Sequence, residues 1–191
     1  MEAFLGALLP RLLPADRTFA LHPFQGKADL VGKLQARLRG YANWLPEDWR
    51  IVVVVDRDDD DCIALKAQLQ GMAKRAKLRA RSGVSKQRWQ LVNRIAVEEL
   101  EAWYFGDWFA VCAAYPRVLR SVANQARYRD PDSIAGGTWE AFERVLQRYG
   151  YFRGGLSKIE AARTLGAEMD SQRNRSVSFG HFRDAVLEAV Q

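Results

Sequence analysis

A chain of 191 residues is long enough to bury one core with a small appended part and too short for two ordinary domains. At 48% hydrophobic and 27% charged residues it has ordinary globular usage, which excludes a disordered or low-complexity chain. The formal net charge of +6 is unevenly spread: residues 62–97 hold no Asp or Glu but carry Lys66, Lys74, Arg75, Lys77, Arg79, Arg81, Lys86, Arg88 and Arg94. Carboxylate clusters flank that belt on both sides, a field suited to a polyanion held against a metal.

The opening residues 1–13 are apolar, but Glu2 stands where a signal peptide needs positive charge and Pro10 interrupts the run. No stretch approaches the ~18 apolar residues of a membrane span, so no membrane association is expected. Cys62 and Cys112 are far apart, which argues against a disulfide scaffold or a cysteine-ligated zinc and for a reducing, cytoplasmic location.

Leu5, Leu8, Leu9 and Leu12 follow the stripe of a first amphipathic helix, bent by Pro10. Residues 18–24 alternate loosely and predict a strand, and Leu30, Val31, Leu34, Leu38 and Tyr41 predict a second helix. The run at residues 51–55 is apolar on both faces, which predicts a strand lying centrally in a parallel sheet. Leu65, Leu69, Met72 and Ala76 give a further helix, followed by short strands at 78–81 and 90–96. From Val97 on the pattern is helical, through Leu100 and Tyr104, then Phe142, Val145 and Leu146, then Phe179, Phe182 and Val186. Ser157 and Glu160 read as a capping box, Gly166 as the stop of that helix, and residues 127–137 as a mobile connection. Strands alternating with helices predict a doubly wound α/β fold: a mostly parallel, Rossmann-like sheet flanked by helices. The core would span residues 1–106, with a helical C-terminal part at 107–191 packed on it.

The strongest chemical signal is the acidic run from Asp56 to Asp61, at the carboxyl end of the apolar strand where open α/β sheets build their sites. Asp56 and Asp58 converge if the strand persists, and two converging carboxylates call for a cation. Oxygen ligands suit Mg²⁺ or Mn²⁺, with Asp56, Asp58 and Asp60 as the expected metal residues. Asp59 and Asp61 are read as complementing the next helix's dipole. An EF-hand is excluded, because Asp61 and Ala67 stand where Gly and Glu are needed. An aspartyl phosphatase or a nucleotide-sugar transferase also follows a strand with Asp-x-Asp, but the first usually lacks a third Asp at the Asp60 position and the second suits the basic belt less well.

A second acidic group holds Glu98, Glu99 and Glu101. Val97, Leu100, Glu101 and Tyr104 share one helical stripe, so Glu101 lies among apolar positions, where a carboxylate is costly without a partner. Either Glu101, with Glu98 one turn earlier, is a metal ligand or general base, or it pairs with Arg94; Glu99 would face solvent. Gly26-Lys27 lacks the rest of a P-loop and reads as a helix start. His22 and His181 are isolated, and Trp103, Trp108 and Trp139 read as packing aromatics, whereas Trp89 inside the belt is a possible stacking platform.

The segments 56–62 (DRDDDDC) and 93–103 (NRIAVEELEAW), with 22–27 (HPFQGK) early and Arg173-Asn174-Arg175-Ser176 and Phe179 late, resemble the Toprim-like family catalogued as DUF4276. The resemblance runs nearly end to end. It implies a Toprim fold, the metal-dependent phosphodiester module of topoisomerases, primases and certain nucleases, in which Asp56 and Asp58 match the metal-binding Asp-x-Asp. It also implies a setting beside an ATPase partner in defence against phage. Members look as though they open on an apolar strand ending in Glu; this chain begins at the helix that follows, so that Glu2 matches at best a second, helix-borne acid. A longer form carrying that strand is expected to be the competent one, or else the exposed sheet edge pairs with a second copy in a homodimer.

The expected function is therefore a Mg²⁺- or Mn²⁺-dependent nuclease acting on DNA or RNA. Glu101, Glu98 and Glu2 are its candidate catalytic residues, and Arg79, Arg81, Lys86, Arg88 and Arg94 its nucleic-acid contacts, Arg88 and Arg94 holding phosphate. The alternative is a catalytically inactive Toprim-like binding or regulatory subunit.

Overall fold

The structure, a computed structural model, describes residues 1–81 and 88–191. The apolar run becomes β1 (Ile51–Asp56), and the segment after the belt becomes β2 (Leu91–Ala96). They pair in parallel, Ile51 opposite Leu91 and Asp56 opposite Ala96. The predicted third strand is reduced to one parallel bridge between Ala80 and Leu91, so β2 lies between two neighbours while β1 is paired on one edge only among the described residues. An apolar run reports burial of two faces and is silent about edges, which is why β1 read as central.

Helices α2 (Lys27–Ala42) and α3 (Cys62–Arg75) cover one face, where Leu30, Leu34, Leu38, Leu65, Leu69 and Met72 pack on Val53, Val55 and Leu91. The opposite face receives α1 (Glu2–Leu12), α4 (Leu100–Gly106) and α8 (Val177–Ala189). Helices α5 (Trp108–Ala114), α6 (Thr138–Arg148) and α7 (Lys158–Glu168) complete that layer. The fold is mixed α/β, with eight α-helices and a two-stranded parallel sheet among the described residues. Of the two expected parts, α1 packs with the second: Phe4, Leu5, Leu8 and Leu9 share a core with Phe142, Leu165, Phe179 and Phe182.

Several local expectations are corrected. Residues 18–24 form no strand; Phe19 is exposed and no sheet edge meets them. Helix α1 runs through Pro10 to Leu12, as its leucine stripe requires. Ser157 holds the N-cap position of α7 without a side-chain hydrogen bond, and both it and Glu160 are exposed, so the first amides of the helix are open to solvent. The segment expected to be loosest is pinned: Asp132 accepts from the Ser176 hydroxyl at 2.8 Å and from the Ser178 amide and hydroxyl at 3.0 and 2.9 Å.

Gly166 lies inside α7 rather than ending it. A Cβ there would meet the Phe4 carbonyl oxygen at 2.4 Å, so the missing side chain is what lets α1 and α7 touch. Arg11 then donates across the contact to the carbonyls of Gly166 and Met169, at 3.2 and 2.9 Å. Gly166→Ala should destabilise the fold by about 1–3 kcal/mol through forced separation of the helices, read as a lowered urea midpoint.

Candidate acidic site at the strand ends

The pleat of β1 sends Val53 and Val55 to the α2/α3 face and Asp56 to the other, toward α1 and α4. Beyond Asp56 the strand stops: Asp58 has φ +49°, in the left-handed region, so its carboxylate does not line up with that of Asp56. It turns to Lys27 at the start of α2. The Lys27 ammonium donates to Asp58 Oδ2, Asp60 Oδ2 and the Arg57 carbonyl, each at 2.9 Å. Burial lowers the Lys27 pKa, but the two aspartates outweigh it and raise the balance. Asp61 caps α3 through the Ala64 amide at 2.7 Å, and Asp59 is exposed.

The loop after β2 is tied to the loop after β1. The Arg57 amide donates to the Ala96 carbonyl at 2.9 Å and the Asp58 amide to the Glu98 carbonyl at 2.8 Å. Arg57 pairs with the Glu98 carboxylate, and Glu98 has φ +61°. Glu99, expected to face solvent, instead accepts from the Thr138 hydroxyl and the Trp139 amide, both at 3.0 Å, at the start of α6.

Glu101 is 7% exposed, as its place on the apolar stripe requires. Arg94 is not its partner: Arg94 Nε donates to the His181 carbonyl at 2.7 Å, on α8. Burial pushes the Glu101 carboxyl up to about 7, with Glu99 and Asp56 adding to the rise and its own backbone amide and Lys158 opposing it. Burial likewise pushes Asp56 up to about 6; Asp58 and Glu99 add, while the Met1 α-amino group and the Leu100 amide oppose. Asp56 Oδ1 and the Tyr104 hydroxyl are buried without hydrogen-bond partners among the described residues. Burial, Glu101 and Asp56 together hold the Tyr104 hydroxyl well above its ordinary pKa.

Thus the expected acids divide into two groups. Asp56, half-buried with its Oδ1 out of solvent, and buried Glu101 form an under-compensated cluster with Tyr104, whereas Asp58 and Asp60 share the Lys27 ammonium and Glu98 pairs with Arg57. Glu2 belongs to neither, being exposed in the first turn of α1. Among the described residues no three His, Cys, Asp or Glu side chains stand close enough to hold a metal ion. The unpartnered Asp56 oxygen and an all-oxygen donor set nonetheless have the chemistry that Mg²⁺ or Mn²⁺ takes. Tyr104 was read only as a stripe residue; its i+3 spacing from Glu101 was the available signal.

The basic residues lie elsewhere. Arg81 is bound to Glu188 at 2.7 Å, which also accepts from Trp89 Nε1 at 2.7 Å; Trp89 is buried and no stacking platform. Arg79 and Arg88 lie beside the amino end of β2, about 17 Å of strand away from the acids, so Arg88 cannot hold phosphate at Asp56. Lys86 lies outside the described residues.

These features define a mixed α/β protein with a carboxylate cluster at the carboxyl ends of parallel strands. The chain belongs to the family described as Domain of unknown function (DUF4276), whose model matches residues 1–187. No curated protein and no solved structure matches it. No helix among the described residues is long and apolar enough to cross a membrane.

Proposed function

We propose that this chain is a Toprim-like, divalent-metal-dependent phosphodiester-cleaving protein acting on nucleic acid, with Mg²⁺ or Mn²⁺ held at Asp56 beside Glu101. The observation that supports it is Asp56: a half-buried carboxylate whose buried Oδ1 has no hydrogen-bond partner among the described residues, at the carboxyl end of a parallel strand, amid further carboxylates and short of positive charge. A bound cation would supply Lewis-acid stabilisation of the leaving oxyanion and acidify an attacking water. Glu101, balanced near neutrality, is suited to accept or give up a proton at its carboxyl, and the Tyr104 hydroxyl to orient a neighbouring oxygen. Incubating single-stranded DNA, duplex DNA and RNA with Mg²⁺, Mn²⁺ or EDTA tests the reading. Metal-dependent cleavage is expected, and Asp56→Asn should lower it on the order of 10²-fold or more. Equal cleavage by that variant removes the proposal.

One observation favours a second reading, a non-catalytic subunit that docks nucleic acid or an ATPase partner of the kind phage-defence systems employ. Lys27 already bridges Asp58 and Asp60, as an internal cation would. Calorimetry separates the two: Mn²⁺ binding at Asp56 is expected for the enzyme, and no heat above dilution for the docking subunit.

A further inference from the structure

The end of the sheet opposite the acids carries a different constellation. The Ile51 amide donates to the Gln90 carbonyl at 2.8 Å, the Gln90 and Leu91 amides donate to the Arg79 carbonyl at 2.7 and 3.2 Å, and the Arg79 amide donates to Gln90 Oε1 at 3.1 Å. Arg50, Gln90 and Arg79 therefore form one row across the amino ends of the extended segments. Arg79 Nε donates to the Arg88 carbonyl at 3.0 Å, which brings Arg88 into the row. Among the described residues none of Arg50, Arg79 and Arg88 forms a salt bridge, whereas Arg57, Arg81 and Arg173 each do. Burial lowers the Arg50 pKa and the neighbouring Arg88 and Arg79 lower it further, with Asp48 the opposing charge. Three guanidinium groups gathered with only Asp48 named as an opposing charge, and with no salt bridge to any of them among the described residues, leave a place for an anion.

Beside this row stand two indoles. Trp49, whose carbonyl accepts from Arg50 Nη1 at 2.7 Å, is 50% exposed; Trp44 is 57% exposed and meets it edge to face at 6.1 Å. Tyr41 backs Trp44 at 5.6 Å. Neither indole is needed for the core, since both lie outside the packed clusters. We propose that this amino-end surface binds single-stranded nucleic acid, its phosphates on Arg79 and Arg88 and its bases against Trp44 and Trp49. An acidic peptide would use the arginines but leave the indoles idle; a duplex keeps its bases stacked inside and cannot offer them.

The inference deepens the nuclease reading by naming the form of substrate, but the binding itself needs no metal and is measured in EDTA. Fluorescence anisotropy of a labelled mixed-sequence single strand is the readout, alongside its duplex and a polyglutamate competitor, with melting curves as the folding control. Arg79→Glu with Arg88→Glu should weaken binding about tenfold or more and flatten its dependence on salt. Trp44→Ala with Trp49→Ala should also weaken it about tenfold or more, and Trp44→Phe with Trp49→Phe should recover much of the loss. Undiminished binding by the tryptophan-to-alanine pair, equal binding of the duplex, or equal competition by polyglutamate would overturn the proposal, the last pointing to an acidic protein partner instead. Tight single-strand binding without any cleavage would support this surface and remove only the nuclease reading.

Discussion

Asp56→Asn is expected to stabilise the fold at neutral pH while abolishing divalent-metal-dependent cleavage. Burial raises the Asp56 pKa to about 6 in the folded chain, against an ordinary aspartate in the unfolded one. The folded state thus binds the proton more tightly, and stability falls as pH rises from near 4 through about 6, then stays at its lower level. Glu101 adds a second fall that extends to about 7. A shift of this size corresponds to roughly 2–3 kcal/mol of destabilisation above pH 7, which a neutral amide of the same shape removes. Melting temperatures of parent and variant should therefore diverge at pH 8 and converge near pH 4. Mn²⁺ supplies the missing charge by another route and should raise the melting temperature of the parent at pH 8 but not of Asp56→Asn. A variant less stable than the parent at pH 8 would mean that the carboxylate is already compensated.

Arg173→Met should cost about 3–5 kcal/mol of stability, the range for stranding a buried charge. Asp107 is 1% exposed and accepts from Arg173 Nε and Nη2 at 2.7 and 2.9 Å and from the Asp170 amide at 2.8 Å. Removing the guanidinium leaves an anion that solvent does not reach. Arg173 itself is partly exposed and can return to water, so the penalty falls on Asp107. Adding Asp107→Asn to Arg173→Met should recover part of the loss in urea denaturation, because no charge is then stranded. The following residues serve the same joint: Asn174 Nδ2 donates to the Trp103 carbonyl at 2.9 Å and Ser176 caps α8 through the Phe179 amide at 3.1 Å. The Arg173-to-Ser176 motif therefore has a structural role, fastening α4 and α5 to α8.

The periodic parts of the chain were legible. The stripes Leu30, Leu34, Leu38 and Leu65, Leu69, Met72 became the faces of α2 and α3, and 51–55 became a strand with Val53 and Val55 buried on one face and Val52 and Val54 partly buried on the other. Glu101 was placed inside by its stripe alone. What failed depended on direction or on distant partners. Residue type cannot announce that Asp58 takes a left-handed turn, and that turn decides whether two carboxylates converge. Lys27, 30 residues before Arg57, read as a plain helix start because nothing local marks an ammonium that will reach another loop. Counting the basic belt as one field was misleading for a similar reason: the chain folds Arg81 and Arg94 onto α8 and leaves Arg79 and Arg88 at the far end of the sheet.

The two turns that follow the strands bear on motion as well as on charge. Asp58 and Glu98 both hold left-handed backbone without being glycine, which costs on the order of 1 kcal/mol or more apiece. Each turn alone would relax. Because the Arg57 and Asp58 amides close on carbonyls of the opposite turn, neither can open without breaking the other's hydrogen bonds. The pair should therefore open as a single cooperative unit: amide hydrogens at 57 and 58 are expected to exchange with solvent through one shared opening, at matching protection in a hydrogen-exchange measurement.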